Sequence, residues 1–380
     1  MLKYHYINKE WMVSGTARRV YRVAVLTLAS ASLLPVAAQI LPASDPDVTI
    51  TTIEGPKDAA FAIGDGTAWF LTKDVLTKVD PQNNQLTSVP MEQLQLGNWF
   101  LRAIGGGFAV GGGSVWRYGK GHGVEGVHRV DPGTGKCIAT VALKPRKGMN
   151  SLTYGEGSLW VLNEHDGNLV RIDPSTNQVS ATIELGKGFW LGLKIADGAV
   201  WAVAEENGIV KRLDPQSNKV VDEFSVGRPQ KNGLFTMVLE GGSYYFAVGD
   251  GMLWVADSQS MSTGKYVLSR IDPKTHERVA QIEIDDSQGA PAFWNGFGWV
   301  SMASGNSRAG HFITKINLKT NRAAGLIFLP ASGRFFNRGA SPAILLADEN
   351  SLWSLSRGFN GDSVVRRMQA KLKEAGQDQR

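Results

Sequence analysis

The stretch EGSLWVLNEHDGNLVRIDPSTNQVSATIEL, residues 156–185, decides the fold of this chain. It opens with Glu156-Gly157, a pair suited to a tight hairpin because glycine accepts a positive φ. Polar and apolar residues then alternate around Trp160 and in two further runs, separated by Asp173-Pro174. The expected strands are residues 151–154, 158–162, 168–172 and 179–185. Four short strands joined by hairpins predict one blade of a β-propeller.

The same unit recurs along the chain. A two-residue turn stands four and three positions before a tryptophan, at intervals of about 40 to 55 residues. The anchors are Trp69, Trp116, Trp160, Trp201, Trp254, Trp299 and Trp353. The sequence therefore predicts an all-β, seven-bladed propeller of four-stranded antiparallel blades over residues 48–368.

Positions shared by the copies are interpreted as scaffold. The tryptophans are expected in the core, and the aspartates of the repeated Asp-Pro turn are expected to bond their own backbone. A basic residue usually stands two positions before that turn and is expected to pair with a neighbouring blade: Lys78, Arg129, Arg171, Arg212, Arg270 and Lys315.

The last unit has only three expected strands, at residues 343–347, 352–355 and 363–368. VTITTIEG at 48–55 resembles the fourth strand of the third unit, so we expect it to complete the last blade and close the ring. Residues 39–47 are a spacer and residues 369–380 a polar tail. A closed toroid of this kind is expected to be a monomer.

The first 38 residues predict a secretory signal. Arg18, Arg19 and Arg22 precede an uncharged run that ends Val36-Ala37-Ala38, and Met12 offers a later start. The mature protein is expected to be periplasmic or secreted, without a stable membrane span. An uncleaved anchor is the alternative.

Composition argues against nucleic-acid binding and against a disulfide bond within the chain. The net charge is +5, but five of the 40 basic residues and one of the 35 acidic residues fall in the signal, which leaves 35 against 34. This balance argues against nucleic-acid binding. Cys137 is the lone cysteine, so no disulfide forms within the chain, and a buried, inert thiol is expected.

VRIDPSTNQVSATIELG resembles the YVTN-type surface-repeat propellers, and the repeated DG-x-x-W and R-x-D-P resemble the streptogramin (virginiamycin B) lyase repeat. The resemblance spans residues 48–368 and implies a propeller. For the lyases it implies a metal-dependent C–O lyase with a Glu-x-His pair on an inner strand. No connector here contains that pair, so the lyase residues cannot be carried over.

Function is therefore sought where the copies differ. In a propeller, the connections from strand four to the next blade and from strand two to three emerge around the channel mouth. The former are basic and aromatic here and suit a small anionic or planar ligand, or a protein partner. The candidates are Trp99, Arg102, Arg146, Lys147, Met149, Lys187, Trp190, Lys231, Arg334 and Arg338. The alternative is solvated charge over packed rings.

The loops between strands two and three are acidic in blades three to five. Their carboxylates and histidine suit Mg²⁺ or Ca²⁺, which prefer oxygen ligands. The candidates are Glu164, His165, Asp166, Glu205, Glu206 and Asp257, with Glu164, His165 and Glu205 as catalytic candidates. An acidic solvated rim is the alternative.

Longer insertions at residues 117–126, 257–266 and 301–311 are expected to be recognition loops.

Three functions stay open: a propeller that binds a ligand or partner, a Mg²⁺-dependent lyase or hydrolase, and a structural surface module.

Overall fold

The computed structural model describes thirteen ranges of the chain, and all of them belong to the compact unit Ala43–Arg380. They are residues 47–92, 108–121, 123–143, 150–163, 167–188, 190–204, 208–226, 246–257, 265–285, 291–302, 310–330, 344–357 and 363–371. Within these ranges no helix has the length and hydrophobicity needed to cross a membrane.

Seven antiparallel sheets of four strands form the described part of the chain, which confirms the predicted seven-bladed propeller. Blades one to three contain β2 (Ala60–Gly64), β3 (Thr67–Leu71), β4 (Val75–Val79) and β5 (Leu86–Pro90); β6 (Phe108–Gly111), β7 (Ser114–Gly121), β8 (Val124–Val130) and β9 (Cys137–Ala142); β10 (Asn150–Gly155), β11 (Ser158–Asn163), β12 (Asn168–Asp173) and β13 (Gln178–Glu184).

Blades four to six repeat this order. They contain β14 (Trp190–Ala196), β15 (Ala199–Ala204), β16 (Ile209–Asp214) and β17 (Lys219–Ser225); β18 (Phe246–Gly249), β19 (Met252–Asp257), β20 (Lys265–Ile271) and β21 (Arg278–Asp285); β22 (Ala292–Trp294), β23 (Phe297–Met302), β24 (Gly310–Asn317) and β25 (Arg322–Pro330).

The seventh blade joins the two ends of the described chain. It contains β26 (Ile344–Ala347), β27 (Leu352–Arg357), β28 (Ser363–Ala370) and, as its outer strand, β1 (Val48–Gly55). β1 and β28 are antiparallel over their whole length, as the sequence leads us to expect. β28 continues two residues beyond the expected end at 368, because Val48 and Thr49 provide partners for Ala370 and Gln369.

The first turn of each unit has the geometry that its residues predict. Glu156 and Gly157 have φ of 49° and 69°, the left-handed pair that a type I′ hairpin requires. Blades one, two, four, five and six also have positive φ at both positions. In blade seven the side chain of Asp348 supports the turn instead, accepting a bond of 2.8 Å from the Asn350 N–H.

Burial of the seven tryptophans confirms their predicted place in the core, with exposed fractions between 0% and 4%. Trp160 packs in one cluster with Val200 and Leu213 of the next blade, and its indole N–H donates to the Gly155 carbonyl at 3.2 Å. The core thus consists of apolar layers between adjacent blades. Truncating such a residue to alanine costs about 3–5 kcal/mol.

Two expectations about blade two are wrong. Residues 117–126 do not form the expected loop, because most of them extend the β7–β8 hairpin, with Lys120 opposite Glu125. Cys137 is half-buried rather than buried. It begins the outer strand, and its Sγ lies 3.6 Å from the Thr140 hydroxyl and 3.3 Å from the Ala139 carbonyl.

Candidate functional site

Four arginines each connect their own blade to the next one, which is the pairing that the sequence predicts for three of them. The Nη1 of Arg270 donates to the Leu318 carbonyl at 2.7 Å and to the Asn321 Oδ1 at 2.9 Å, in the turn between β24 and β25. The same pair of bonds joins Arg129 to Pro174 and Asn177, Arg171 to Pro215 and Asn218, and Arg367 to Pro81 and Asn84. We call this contact the arginine latch.

Every anchor tryptophan is covered by a cation. The Arg129 guanidinium carbon lies 5.0 Å from the centre of the Trp116 ring, and the Lys78 ammonium lies 5.3 Å from that of Trp69. Arg171, Arg212, Arg270, Lys315 and Arg367 cover the remaining five. Cation–π contact of this kind stabilises the fold by about 0.5–2 kcal/mol per pair. These cations are therefore scaffold.

Lysine replaces arginine in two blades, and in both cases the next blade offers no asparagine. Lys78 precedes blade two, whose turn has Gly135 at the asparagine position, and Lys315 precedes blade seven, whose sequence has no Asp-Pro turn. Only the planar guanidinium can reach two acceptors in a fixed geometry, whereas an ammonium is a point charge. Lysine thus occurs only opposite turns that lack the asparagine, although Arg212 also faces such a turn, with His276 at that position.

The two kinds of connection meet at one end of the blades, as expected for a channel mouth. Gly167, which ends the connection between β11 and β12, accepts a bond of 2.7 Å from the Leu185 N–H, just after β13. The Asp74 carbonyl accepts from the Met91 N–H at 2.7 Å in blade one, and the Gly208 carbonyl accepts from the Val226 N–H at 2.9 Å in blade four. Loops of both kinds therefore share this end.

Two of the predicted ligand-binding residues lie in the described ranges. Lys187 is exposed. Trp190 begins β14 with 2% of its surface exposed, and its indole N–H donates to the Gly186 carbonyl at 3.0 Å. The structure thus gives Trp190 a packing role between blades three and four, and its contact with a ligand stays a prediction.

Most other candidates lie outside the described residues. Asp257 is the last residue of β19, where its backbone pairs with Val267. The remainder cannot be placed: Trp99, Arg102, Arg146, Lys147, Met149, Lys231, Arg334, Arg338, Glu164, His165, Asp166, Glu205 and Glu206. Among the described residues, no three His, Cys, Asp or Glu side chains form a group that could hold a metal ion.

Two cations at positions that are neutral in the other blades were missed by the sequence analysis, Arg117 buried and Lys194 half-buried. Arg117, directly after the anchor of blade two, is 0% exposed. Lys194 lies on β14 opposite Trp201, and burial lowers the pKa of its amine to about 8. The signal for both was available, because the other blades place neutral residues at these two positions. A comparison of the copies position by position finds them.

Comparisons with known proteins agree on the fold. No protein-family profile matches the chain, and no curated protein matches its sequence. Virginiamycin B lyase from Staphylococcus aureus superimposes with a TM-score of 0.56 at 13% identity, covering 85% of this chain and 100% of the lyase. The WD40 domain of Toxoplasma gondii coronin gives 0.53 at 12%, covering 86% and 88%. The Doa1 WD40 propeller gives 0.54 at 13%, covering 86% and 98%.

These identities are too low to transfer an activity. A lyase and two WD40 domains superimpose with similar scores, so the likeness shows the fold alone. What the sequence repeats, the strand order and these neighbours establish together is that the described chain is a seven-bladed β-propeller.

Proposed function

We propose that this protein is an exported propeller that binds a small ligand or a protein partner on its basic and aromatic channel-mouth face, without chemistry of its own. One observation carries the proposal. The residues that recur among the blades are used in scaffold contacts, the arginine latch between blades and the cation cover of the tryptophans within them, so the residues that differ are left for recognition.

The face itself is defined by the meeting of the two kinds of connection. The bond between Met91 and Asp74 fixes this end in blade one, and the bond between Val226 and Gly208 fixes it in blade four. The connectors that leave from this end contain the candidate residues Arg102, Arg146 and Arg334 together with several aromatic residues. Guanidinium groups and aromatic rings together suit a planar or anionic group.

A screen of soluble aromatic acids and acidic peptides by thermal shift tests the proposal. Compounds that stabilise the protein are then titrated into Arg146→Ala and Arg334→Ala, which change two distant connectors. Arg278→Ala is the matched control, because Arg278 is exposed on an outer strand, β21. We expect binding to weaken at least tenfold in the connector variants and to be unchanged in the control. Equal binding in all three variants overturns the proposal.

A turnover assay addresses the absence of chemistry. The same preparation is incubated with a cyclic ester, with and without Mg²⁺. Ring opening that needs both protein and Mg²⁺ would contradict the proposal and favour a metal-dependent lyase.

Export is tested by the mature N-terminus. The run that ends Val36-Ala37-Ala38 is expected to be removed, so that intact mass measured on the periplasmic fraction gives Gln39 as the first residue. Retention of the full-length chain in the membrane fraction would favour the uncleaved anchor.

A further inference from the structure

Blade two differs from the other six at the position after its anchor tryptophan. Arg117 occupies it on β7, facing blade one, in the same row as Phe108 on β6 and His128 on β8. The corresponding residues of the other blades are uncharged: Phe70, Val161, Ala202, Val255, Val300 and Ser354. A charge at this position is therefore not a requirement of the scaffold.

The guanidinium of Arg117 is buried without a partner. Its side chain is 0% exposed, and none of its three nitrogens has a hydrogen-bond partner among the described residues. Burial lowers its pKa to about 10, against the opposing effect of the Asp74 carboxylate. An unpaired buried cation costs several kcal/mol, and buried charges in proteins are normally paired.

The polar neighbour in its row is engaged elsewhere. The two ring nitrogens of His128 lie 3.1 Å from the Thr140 hydroxyl and 3.2 Å from the Gly119 carbonyl, within blade two. Beyond Arg117 on the same face, Gly119 pairs with Gly126, so the next pair of residues adds no side chain that could reach the guanidinium. The row therefore leaves the positive charge without a neutralising group.

The surrounding sequence is positive. The connectors on either side of blade two, residues 93–107 and 144–149, contain Arg102, Lys144, Arg146 and Lys147 and no acidic residue. Asp74 supplies the carboxylate charge that acts on Arg117, but it is exposed in the connection between β3 and β4. The segments that flank blade two in sequence thus add positive charge and no carboxylate.

We propose that Arg117 is the receptor for an oxyanion of the ligand, a carboxylate or a phosphate, held between blades one and two near the channel mouth. The planar guanidinium binds two oxygens of such a group through parallel N–H···O bonds. The inference deepens the proposed function and rests on it, because the oxyanion belongs to the ligand of the channel-mouth face.

Unfolding temperatures with small anions test this directly. The wild type, Arg117→Met and Arg171→Met are heated in sodium chloride, sodium acetate and sodium phosphate at equal ionic strength. Arg171→Met is the control, because it removes a half-buried arginine that has partners and leaves Arg117 intact. In chloride we expect Arg117→Met to unfold at the wild-type temperature or above it, since no hydrogen bond to a described residue is lost.

Oxyanions should stabilise only proteins that keep Arg117. We expect acetate or phosphate to raise the unfolding temperature of the wild type and of Arg171→Met by about 3 °C or more, and that of Arg117→Met not at all. A response to acetate alone identifies a carboxylate, and a response to phosphate alone a phosphoryl group. No response, an equal response in Arg117→Met, or a large loss of stability in Arg117→Met in chloride overturns the proposal.

The two proposals fail separately. Inorganic ions report on Arg117 and require no knowledge of the natural ligand. Anion binding without any effect of the connector variants refutes the channel-mouth proposal alone. Ligand binding that needs the connectors, without a response to acetate or phosphate, refutes the role of Arg117 alone.

Discussion

The Nη1 of Arg367 lies 3.0 Å from the Oδ1 of Asn84 and so joins the last blade to the first. The same nitrogen donates to the Pro81 carbonyl at 2.6 Å. Pairing of β1 with β28 closes the seventh blade itself. The ring is thus closed twice, by a strand from the beginning of the propeller and by a charged latch that crosses to the next blade.

Arg367→Met should therefore destabilise the propeller. The substitution keeps much of the stem but leaves the Pro81 carbonyl and the Asn84 amide without their charged donor, at a cost of about 2 kcal/mol. The free energy of unfolding in urea measures the loss. Lys78→Met is the control, because Lys78 covers Trp69 but faces a turn with Gly135 in place of the asparagine, so its loss should be smaller. Equal losses in the two variants would contradict a latch at the ring closure.

Gly135 is expected to tolerate no side chain. Its φ is +70°, and a Cβ there would lie 2.0 Å from the Pro90 carbonyl oxygen. Gly157 has nearly the same φ, +69°, with nothing within 4 Å of its Cβ position. Gly157→Ala should therefore cost only the left-handed conformation, about 1–2 kcal/mol. Gly135→Ala should therefore lower the unfolding temperature more than Gly157→Ala does. Equal decreases would show that the backbone around residue 135 moves to accept the Cβ.

This crowding explains part of the pattern in the basic residues. Asparagine cannot occupy position 135 without moving Pro90, so blade two lacks the acceptor that the arginine latch uses. Lys78 then suffices in blade one, where it covers Trp69. Whether a basic residue can form the full arginine latch therefore depends on the neighbouring blade and is invisible within a single repeat.

The sequence predicted what is local and repeated. Seven tryptophans at a fixed distance from a turn predicted the number and positions of the blades, because strand alternation and turn formation depend on residues close together in sequence. Arg367 was not recognised as a latch, since the seventh unit lacks the Asp-Pro turn that marks the position elsewhere. Trp190 was expected on the binding face, because its place in a connector does not reveal the packing between blades that buries it. Arg117 was assigned to a loop, because an insertion of this length can either form a loop or extend the hairpin, and the sequence does not distinguish the two.

Acid should destabilise the protein through the turn aspartates. Bonds from Thr134 and Ser175 lower the pKa of Asp131 and Asp173, and Ser217 does the same for Asp214. Because the unfolded chain binds these protons more readily, the stabilisation is present above the unfolded pKa near 3.8 and is lost as pH falls through the folded values.

Replacing all three aspartates with asparagine provides the control. Asn317 occupies the same position in blade six, where its Oδ1 accepts from the Lys319 N–H at 2.9 Å, so the amide can support this turn. The triple variant should fold and lose part of the decline in unfolding temperature below pH 4. An unchanged acid profile would assign the decline to other carboxylates.

Lys194 should make stability rise with pH. Burial lowers the pKa of its amine from 10.5 to about 8, so between these values the unfolded chain holds a proton that the folded protein has released. Stability therefore increases across that window, by at most about 1.4 kcal/mol per pH unit, and the cost of charging the amine is fully present below pH 8.

Lys194→Ala introduces the residue that stands opposite the anchor tryptophan in blades one, two, five and six. It should stabilise the protein at pH 7 and flatten the profile from pH 8 to 10.5 in urea unfolding. Lys211→Ala is the control, because it removes a lysine paired with Glu223 at 3.0 Å and should leave the slope intact. An equal slope in the wild type and in Lys194→Ala would show that the Lys194 amine is not the cause of the slope.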